Sequence, residues 1–287
     1  MATKVLVLGV TGMLGSVVFK ELSKNDELVV LGTKRSEGRL DFFTDDQNNN
    51  LISGIDVLES DSLVRVLDQV RPEIVINCIG LIKQFSIANN PLIALPINSM
   101  FPHRLSKLCS LVNSRLIHIS TDCVFNGRKG MYRENDISDA EDLYGKSKFI
   151  GELHDESHAV TIRTSIIGHE LNSSASLVDW FLSQSGHVKG YTKAIFSGLP
   201  TVELARVIME YVIPNADLKG LYHVSVDPID KYSLLNQIAK VYSKDIEIIP
   251  DENVQIDRSL ESSKFKQATG YVVPSWEELI TKMYNVQ

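Results

Sequence analysis

The sequence is poor in cysteine and in long apolar runs, and each shortage excludes a class of protein. Its 287 residues include three cysteines, Cys78, Cys109 and Cys123, and only 7% are aromatic. An odd number of cysteines, far apart in the chain, forms no disulfide framework and lacks the spacing of a metal site. We therefore expect a reduced protein without a structural metal.

Neither a membrane nor a nucleic acid is indicated as a partner. No apolar run approaches the roughly 20 residues that a membrane-spanning helix needs. The first residues, Met1 to Lys4, lead directly into a strand-like segment without the apolar core of a secretion signal. The net formal charge of -7 argues against a surface that binds nucleic acid. We expect a cytoplasmic protein that binds neither a membrane nor a nucleic acid.

The first half of the chain alternates apolar strands with amphipathic helices. Strands are predicted at residues 4–8, 28–31, 73–78 and 116–119, and helices at 16–22, 60–69 and 102–110. This alternation predicts an α/β fold with a doubly wound parallel sheet of Rossmann type. The polar tract Thr44 to Asn50 is predicted to be a surface loop.

After residue 163 the alternation is looser. Helices are predicted at residues 202–211 and 233–242, with a strand at 222–225. The sequence therefore predicts a Rossmann domain over residues 1–160 and a smaller C-terminal lobe over 161–287. Some segments of the second part are expected to return to the sheet.

The first predicted strand runs into a glycine-rich turn. Strand, glycine turn and helix together are the context of a dinucleotide-binding motif. Gly9 would allow the tight turn, Gly12 the close approach of a pyrophosphate, and Gly15 the close packing of helix on strand. Thr11, Met13 and Leu14 complete this predicted cofactor contact. The alternative is an ordinary strand-to-helix turn in which glycine serves geometry alone.

A tyrosine and a lysine four residues apart form a second signature. Tyr144 and Lys148 would lie one turn apart on one face of a helix. An ammonium group beside a phenol stabilises the phenolate, so a tyrosine with a usual pKa of about 10 can exchange a proton near neutral pH. The pair follows the triplet Ser120-Thr121-Asp122. In this order after a glycine turn, the pattern is typical of a nicotinamide-dependent enzyme.

Together these motifs resemble the extended short-chain dehydrogenase/reductase superfamily and, within it, the dTDP-4-dehydrorhamnose reductases. The glycine spacing is G-x-x-G-x-x-G. Residues 116–127 resemble the family's ISTDYVFDG segment, and residues 144–152 resemble its YGxSKxxGE helix. Arg163-Thr164-Ser165 with Gly168, and later Gly198 to Thr201, follow in the same order. The resemblance covers essentially the whole chain and implies that the C-terminal lobe binds the substrate.

The resemblance also implies the chemistry. A hydride passes from the nicotinamide to a carbonyl carbon, and the carbonyl oxygen takes a proton. Tyr144 would donate this proton, and Thr121 would hydrogen-bond the same oxygen. Lys148 would lower the pKa of the tyrosine and hold the nicotinamide ribose. Ser120 is expected to turn into the sheet, and Asp122 either positions the substrate or caps the following loop.

The residues after the second strand indicate which cofactor is used. Proteins that bind NAD place a carboxylate there for the ribose 2′-hydroxyl, whereas this chain reads Thr33-Lys34-Arg35-Ser36. Arg35, together with Lys34, can bind a 2′-phosphate, so NADPH is the expected cofactor. Exposed basic residues in a loop are the alternative. Further cofactor contacts are expected from Asp56 and Val57 at the adenine, and from Cys78, Ile79 and Gly80 along the cofactor.

The resemblance implies a nucleotide-diphosphate 4-keto-6-deoxy sugar as the substrate, used for cell-surface polysaccharide precursors. Cys123 stands where the family usually has tyrosine, and Ile166 where it often has tryptophan. A UDP-linked 2-acetamido-4-keto sugar therefore competes with the dTDP-linked sugar. Lys83 and Arg258 are candidate ligands of the diphosphate, although Lys83 can also be an ordinary surface lysine. A homodimer is common in the superfamily.

Two other functions stay open. Relatives of this fold also serve as non-catalytic regulatory subunits of other enzymes, and epimerases and dehydratases belong to the same superfamily. The joint presence of Thr121, Tyr144 and Lys148 favours an enzyme. Dehydratases typically carry Asp-Glu after the catalytic threonine. Here Asp122-Cys123 lacks the glutamate, which argues against elimination.

Overall fold

The computed structural model describes residues 2–81, 86–171 and 176–286. Its strands are β1 (Thr3–Leu8), β2 (Leu28–Thr33), β3 (Leu51–Ile52), β4 (Ile74–Asn77), β5 (Arg115–Thr121), β6 (Ala159–Thr164), β7 (Ile166–Ile167), β8 (His187–Phe196), β9 (Leu199–Pro200), β10 (Gly220–His223), β11 (Ile229–Asp230) and β12 (Glu247–Asp257). Its α-helices are α1 (Met13–Leu22), α2 (Asp45–Asn49), α3 (Ser60–Val70), α4 (Pro91–Ala94), α5 (Phe101–Leu111), α6 (Leu143–Ile150), α7 (Leu177–Ser183), α8 (Thr201–Val207), α9 (Lys231–Val241), α10 (Ser263–Thr269) and α11 (Trp276–Tyr284). Short 3-10 turns cover Ser86–Asn89 and Asp122–Val124, and π-helical turns cover Leu95–Met100 and Ile208–Val212.

Seven strands form one sheet in the order β10-β6-β5-β4-β1-β2-β3. Every neighbouring pair in this sheet is parallel. The order changes direction between β1 and β4, which opens a crevice at the carboxyl ends of these strands. The predicted Rossmann-type doubly wound fold is confirmed.

The apolar run of β1 is continuous because both faces of this strand are buried. Val5 and Val7 belong to a core cluster that includes residues of α1 and α8. Leu6 and Leu8 point to the opposite face, into a cluster that includes residues of α3 and α5. Because side chains alternate along a strand, one apolar segment packs against two helical layers.

A smaller sheet in the order β11-β8-β12 belongs to a second lobe. We use "second lobe" for this sheet together with α7, α9 and α11, whose side chains share a separate apolar cluster. After residue 163 the chain also returns to the main sheet, because β10 pairs with β6. Strand β6 itself spans residue 160, where the sequence suggests a boundary between domains.

The polar tract at residues 44–50 is not a loop, so that prediction is wrong. It forms the short helix α2, which begins with a reciprocal cap. Thr44 Oγ1 accepts a hydrogen bond from the Gln47 amide, and the Gln47 side chain accepts one from the Thr44 amide. The Asn48 side chain also donates to the Leu40 and Phe43 carbonyls. These side-chain bonds offset the low helix propensity of Asp and Asn.

Across the described ranges, with gaps at 82–85 and 172–175, no helix combines the length and the apolar character needed to cross a bilayer.

Candidate active site

The glycine turn forms an open cradle at the start of α1. Gly9 has a φ of 87°, and Gly12 is the N-cap of α1 without a capping side chain. A β-carbon on Gly15 would lie 2.1 Å from the Gly9 carbonyl oxygen, so only glycine allows the helix to begin this close to the strand. Thr11 and Gly12 are exposed. The unpaired amides of the first turn, from Met13 to Gly15, fit a dinucleotide diphosphate.

The loop after β2 carries the two basic residues that the sequence assigns to the 2′-phosphate. Arg35 is exposed. The structure corrects the expectation for Lys34, which is only 4% exposed. The Lys34 ammonium donates to the carbonyls of Ser36 and Gly38, at 2.7 Å and 2.5 Å. It therefore shapes the loop that presents Arg35.

The segment predicted at the adenine packs beside this loop. The Lys34 amide donates to the Ile52 carbonyl, and its carbonyl accepts from the Ile55 amide. Asp56 follows directly; one of its carboxylate oxygens accepts from the Leu58 amide at 2.9 Å. Its neighbour Val57 is half-buried against the core. The predicted adenosine contacts thus come from two loops that are hydrogen-bonded to each other.

Lys148 lies in a buried polar layer at the carboxyl end of the main sheet. Its ammonium donates to the Ile119 carbonyl at 2.9 Å, and a β-carbon on Gly80 would lie 3.5 Å from it. Burial lowers the pKa of Lys148 to about 8, although Glu152 and Cys78 act in the opposite direction. The lysine is therefore next to the β4 segment that the sequence assigns to the cofactor.

Cys78 and Ile79 extend the same edge from the end of β4. Burial raises the pKa of the Cys78 thiol to about 12, which suits a packing residue better than a reactive thiol. The Ile79 amide donates to the Asn77 side-chain oxygen at 3.0 Å. The Leu81 amide donates to the Asn98 side-chain oxygen at 2.9 Å. These side-chain caps fix the backbone that would lie along the cofactor.

Helix α6 brings Tyr144 to the end of β5. Its N-cap, Asp142, accepts a hydrogen bond from the Gly145 amide at 2.7 Å. A β-carbon on Gly145 would lie 2.1 Å from the Cys123 carbonyl oxygen. Glycine after the tyrosine therefore lets the helix lie directly against the turn that follows Thr121.

Thr121 and Tyr144 meet at this point. Their hydroxyl groups are close enough for the Thr121 hydroxyl to act on the pKa of the phenol. Thr121 Oγ1 also accepts from the Cys123 amide at 3.1 Å and donates to an Asp122 carboxylate oxygen at 3.2 Å. Thr121 is thus the N-cap of the turn Asp122–Val124. Of the two roles expected for Asp122, substrate positioning and capping of this loop, the second is filled by Thr121 instead.

The ionisation of Tyr144 differs from the sequence expectation. Burial raises the pKa of the phenol above its usual value, and the neighbouring Cys123 and Asp122 act in the same direction. The Thr121 hydroxyl opposes this shift, but the expected lowering by Lys148 is not found. The reason is that the phenol is buried, while the Lys148 ammonium is directed to the Ile119 carbonyl. The neutral phenol is the form that donates a proton.

Asp122 faces two cations that come from distant parts of the chain. Burial raises the pKa of its carboxyl group, whereas Arg258 and, more weakly, Lys231 oppose that shift. Arg258 Nε donates to the Phe125 carbonyl at 2.7 Å. The structure therefore brings the predicted Arg258 to the site and adds Lys231, which the sequence reasoning missed. The predicted Lys83 lies outside the described residues.

A buried ion pair supports strand β5, which ends at Thr121. Glu152 accepts two hydrogen bonds from Arg163, both at 2.7 Å. It also accepts one from Ser120 at 2.7 Å, so Ser120 turns into the interior as expected. Burial opposes ionisation of Glu152, but the bonds from Arg163, His154 and Ser120 lower its pKa to about 2. Thr121 is thus next to a residue that is anchored in the core.

The chain is similar to known proteins over most of its length. The sequence model of the family described as RmlD substrate binding domain matches residues 3–287. Methionine adenosyltransferase 2 subunit beta of Danio rerio is 29% identical over 252 residues, which cover 84% of this chain and 74% of that protein. A probable low-salt glycan biosynthesis reductase of Haloferax volcanii is 27% identical over 229 residues, which cover 76% of this chain and 73% of that protein.

Among solved structures, the dTDP-4-dehydrorhamnose reductase of Bacillus anthracis in complex with NADP is similar to this chain over the full length of both chains. The TM-score is 0.81 and the sequence identity 22%. At this identity the likeness shows the fold. The family match over residues 3–287 goes further: the chain belongs to the RmlD substrate-binding-domain family of the extended short-chain dehydrogenases/reductases.

Proposed function

We propose that the protein is an NADPH-dependent reductase of the 4-keto group of a nucleotide-diphosphate 6-deoxy sugar. The substrate is dTDP-4-dehydrorhamnose or a UDP-linked 2-acetamido-4-keto sugar, and the product is a precursor of cell-surface polysaccharide made in the cytoplasm. One observation carries the proposal. The hydroxyls of Thr121 and Tyr144 lie near each other at the end of β5, and Lys148 lies one helical turn from the tyrosine on α6.

Each side chain of the site has a separate role in the proposed reaction. NADPH, when bound, supplies the hydride that reduces the carbonyl carbon. Tyr144 donates its proton to the carbonyl oxygen, which becomes the hydroxyl of the product. Thr121 turns its hydroxyl from Asp122 to the same oxygen and stabilises the negative charge that develops there. Lys148 would hold the ribose of the nicotinamide from its place beside Gly80.

The ionisation states suit this division. A phenol whose pKa is raised by burial is neutral at neutral pH and has a proton to give. A lysine with a pKa of about 8 is still mostly cationic there. The site thus begins the reaction with a protonated tyrosine, as reduction requires, and with a cationic lysine on the same helix.

The proposal is tested by following NADPH oxidation with dTDP-, UDP- and GDP-linked 4-keto sugars. At least one sugar should be reduced to the corresponding alcohol, with one NADPH consumed per sugar. An epimerase would change the sugar without net consumption of NADPH. The reductase proposal is abandoned if every sugar is left unchanged by a folded protein that binds NADPH.

A second candidate is a non-catalytic, NADP-binding subunit of another enzyme. It is favoured by the relative named methionine adenosyltransferase 2 subunit beta, which matches 84% of this chain. The retained Thr121, Tyr144 and Lys148 argue against it. The same panel of sugars separates the two, because a binding subunit would bind NADPH and reduce none of them.

The cofactor preference gives the first mutational prediction. Arg35 is expected to pair with the 2′-phosphate of NADPH, which NADH lacks. A charged hydrogen bond is worth roughly 1.5–3 kcal/mol, so NADPH should bind at least about tenfold more tightly than NADH. In Arg35→Ala this preference should largely disappear, as measured by titrating both cofactors.

Arg39 provides a matched control for that titration. It is an exposed arginine in the same loop and is already paired with Asp45. Arg39→Ala should therefore keep the preference of the wild type. Equal affinities for the two cofactors in the wild type would contradict the assignment of NADPH.

A further inference from the structure

Lys231 is a cation without a hydrogen-bond acceptor in the part of the chain that the structure describes. It is the first residue of α9 and is half-buried. Its ammonium lies 4.3 Å from the centroid of the Phe196 ring, on β8. A cation over an aromatic face is stabilised by the ring. The ring, however, accepts no ordinary hydrogen bond from the three N–H groups of the ammonium.

Three other lysines of the chain each donate from the ammonium to a backbone carbonyl. Lys34 donates to two loop carbonyls, and Lys148 donates to the Ile119 carbonyl. Lys264 is closely comparable, because its ammonium also lies 4.3 Å from a ring centroid, that of Tyr222. It nevertheless donates to the Leu221 carbonyl at 2.7 Å. Lys231 makes no such bond within the described residues, and a partly desolvated donor gains from an acceptor.

The surroundings of Lys231 indicate what kind of acceptor fits. Asp122 and Cys123, which follow the catalytic Thr121, are within electrostatic range of its ammonium. The same Asp122 carboxylate faces Arg258. Two cations from elements of the C-terminal part therefore approach one buried carboxylate, which leaves an excess of positive charge next to the catalytic hydroxyls. A further anion would balance it.

We propose that Lys231 binds an oxyanion of the substrate beside Thr121 and Tyr144. The ligand class is a phosphate oxygen of the diphosphate that a nucleotide sugar carries. The inference rests on the proposed sugar-nucleotide function and adds a specific contact from the second lobe. The Phe196 ring stabilises the ammonium through the cation–ring contact, and the Asp122 carboxylate attracts it electrostatically.

The test compares Lys231→Met with wild type in the presence of NADPH. The ligands are UDP, dTDP, UDP-glucose and UDP-glucuronate, titrated by calorimetry. Loss of a charged hydrogen bond should weaken binding about 10- to 100-fold. If the lysine binds the diphosphate, all ligands that bind to wild type weaken together. If only UDP-glucuronate weakens, the lysine binds a sugar carboxylate that a 6-deoxy substrate lacks, and the proposal is wrong.

Lys264→Met is the matched control, because it removes a lysine in the same cation–ring geometry outside the site. It should leave all affinities unchanged, and thermal unfolding should show that both variants are folded. The proposal is overturned if Lys231→Met binds each ligand as wild type does. Failure of wild type to bind any of the four overturns this inference together with the sugar-nucleotide function. If wild type reduces a 4-keto sugar and Lys231→Met binds the ligands as wild type does, this inference is wrong while the proposed function stands.

A pH series adds a readout that a purely structural lysine would not move. Burial lowers the pKa of Lys231 to about 8, with Asp122 and Cys123 opposing the shift. Affinity in wild type should therefore fall as the pH rises through about 8 and the ammonium loses its proton. Lys231→Arg stays cationic and should keep its affinity there. Lys148 has a similar pKa but is present in both proteins, so the difference between the two profiles reports Lys231. Identical profiles would count against the proposal.

Discussion

Replacing Tyr144 with phenylalanine is expected to lower turnover by about 10² to 10⁴, the usual contribution of one positioned acid. The variant keeps the ring that packs at the start of α6 and removes only the proton that the carbonyl oxygen takes. Steady-state reduction of the sugar identified in the substrate panel measures the effect. Affinity for NADPH should change little, because the glycine turn and the Arg35 loop are untouched.

Tyr284→Phe is a suitable control for this experiment. Tyr284 is 45% exposed near the end of the chain, so the loss of its hydroxyl should leave turnover unchanged. If Tyr144→Phe retains near-normal turnover while the control behaves as expected, the tyrosine is not the proton donor. Its position near Thr121 would then be structural only.

Replacing Arg163 with methionine should cost about 3–5 kcal/mol in the free energy of unfolding, because it leaves the Glu152 carboxylate buried without its cation. The Arg163 and Glu152 side chains are 1% and 0% exposed. Urea unfolding near neutral pH measures the change. Lys107→Met removes one partner of an ion pair in which the lysine is 72% exposed, and it should cost at most about 1 kcal/mol.

The pH dependence of stability tests the same pair without a mutation. The Glu152 pKa is lowered from 4.5 to about 2 in the folded protein, so its contribution is present above 4.5. It is lost as the pH falls from there towards 2. Glu152→Gln should flatten this part of the stability curve.

If Lys107→Met were destabilised as much as Arg163→Met, the burial of the Arg163–Glu152 pair would not explain its contribution to stability.

The fold could be predicted from the sequence where the periodicity of apolar residues agrees with local signals such as a glycine turn. The strands and helices of the first half follow from apolar periodicity, and β1 with its glycine turn marks the cofactor end. The capped helix α2 was not predicted because its stability comes from side-chain bonds that composition does not show. The long strands β8 and β12 were missed because they pair across a wide sequence separation and carry many exposed polar residues.

The residues of the candidate site also differ in whether the sequence predicts them. Tyr144 and Lys148 follow from their spacing on one helix, and Thr121 from the resemblance of residues 116–127 to a segment of the reductase family. Lys34 was expected to help bind the 2′-phosphate, but its long side chain folds back onto its own loop. The order of residues in the sequence does not show this. Lys231 carries no motif. It reaches the site only because the second lobe packs near Asp122, which is a property of the tertiary structure.

The central claim is that this chain reduces carbon 4 of a nucleotide sugar, and isotope transfer tests it most directly. The protein would be incubated with NADPH deuterated at the transferable C4 position and with the accepted 4-keto sugar. The account predicts one deuterium at carbon 4 of the product sugar, in equal amount to the NADPH oxidised, and its near-complete loss in Tyr144→Phe. A product without deuterium at carbon 4, or an unchanged sugar beside tightly bound NADPH, would contradict it.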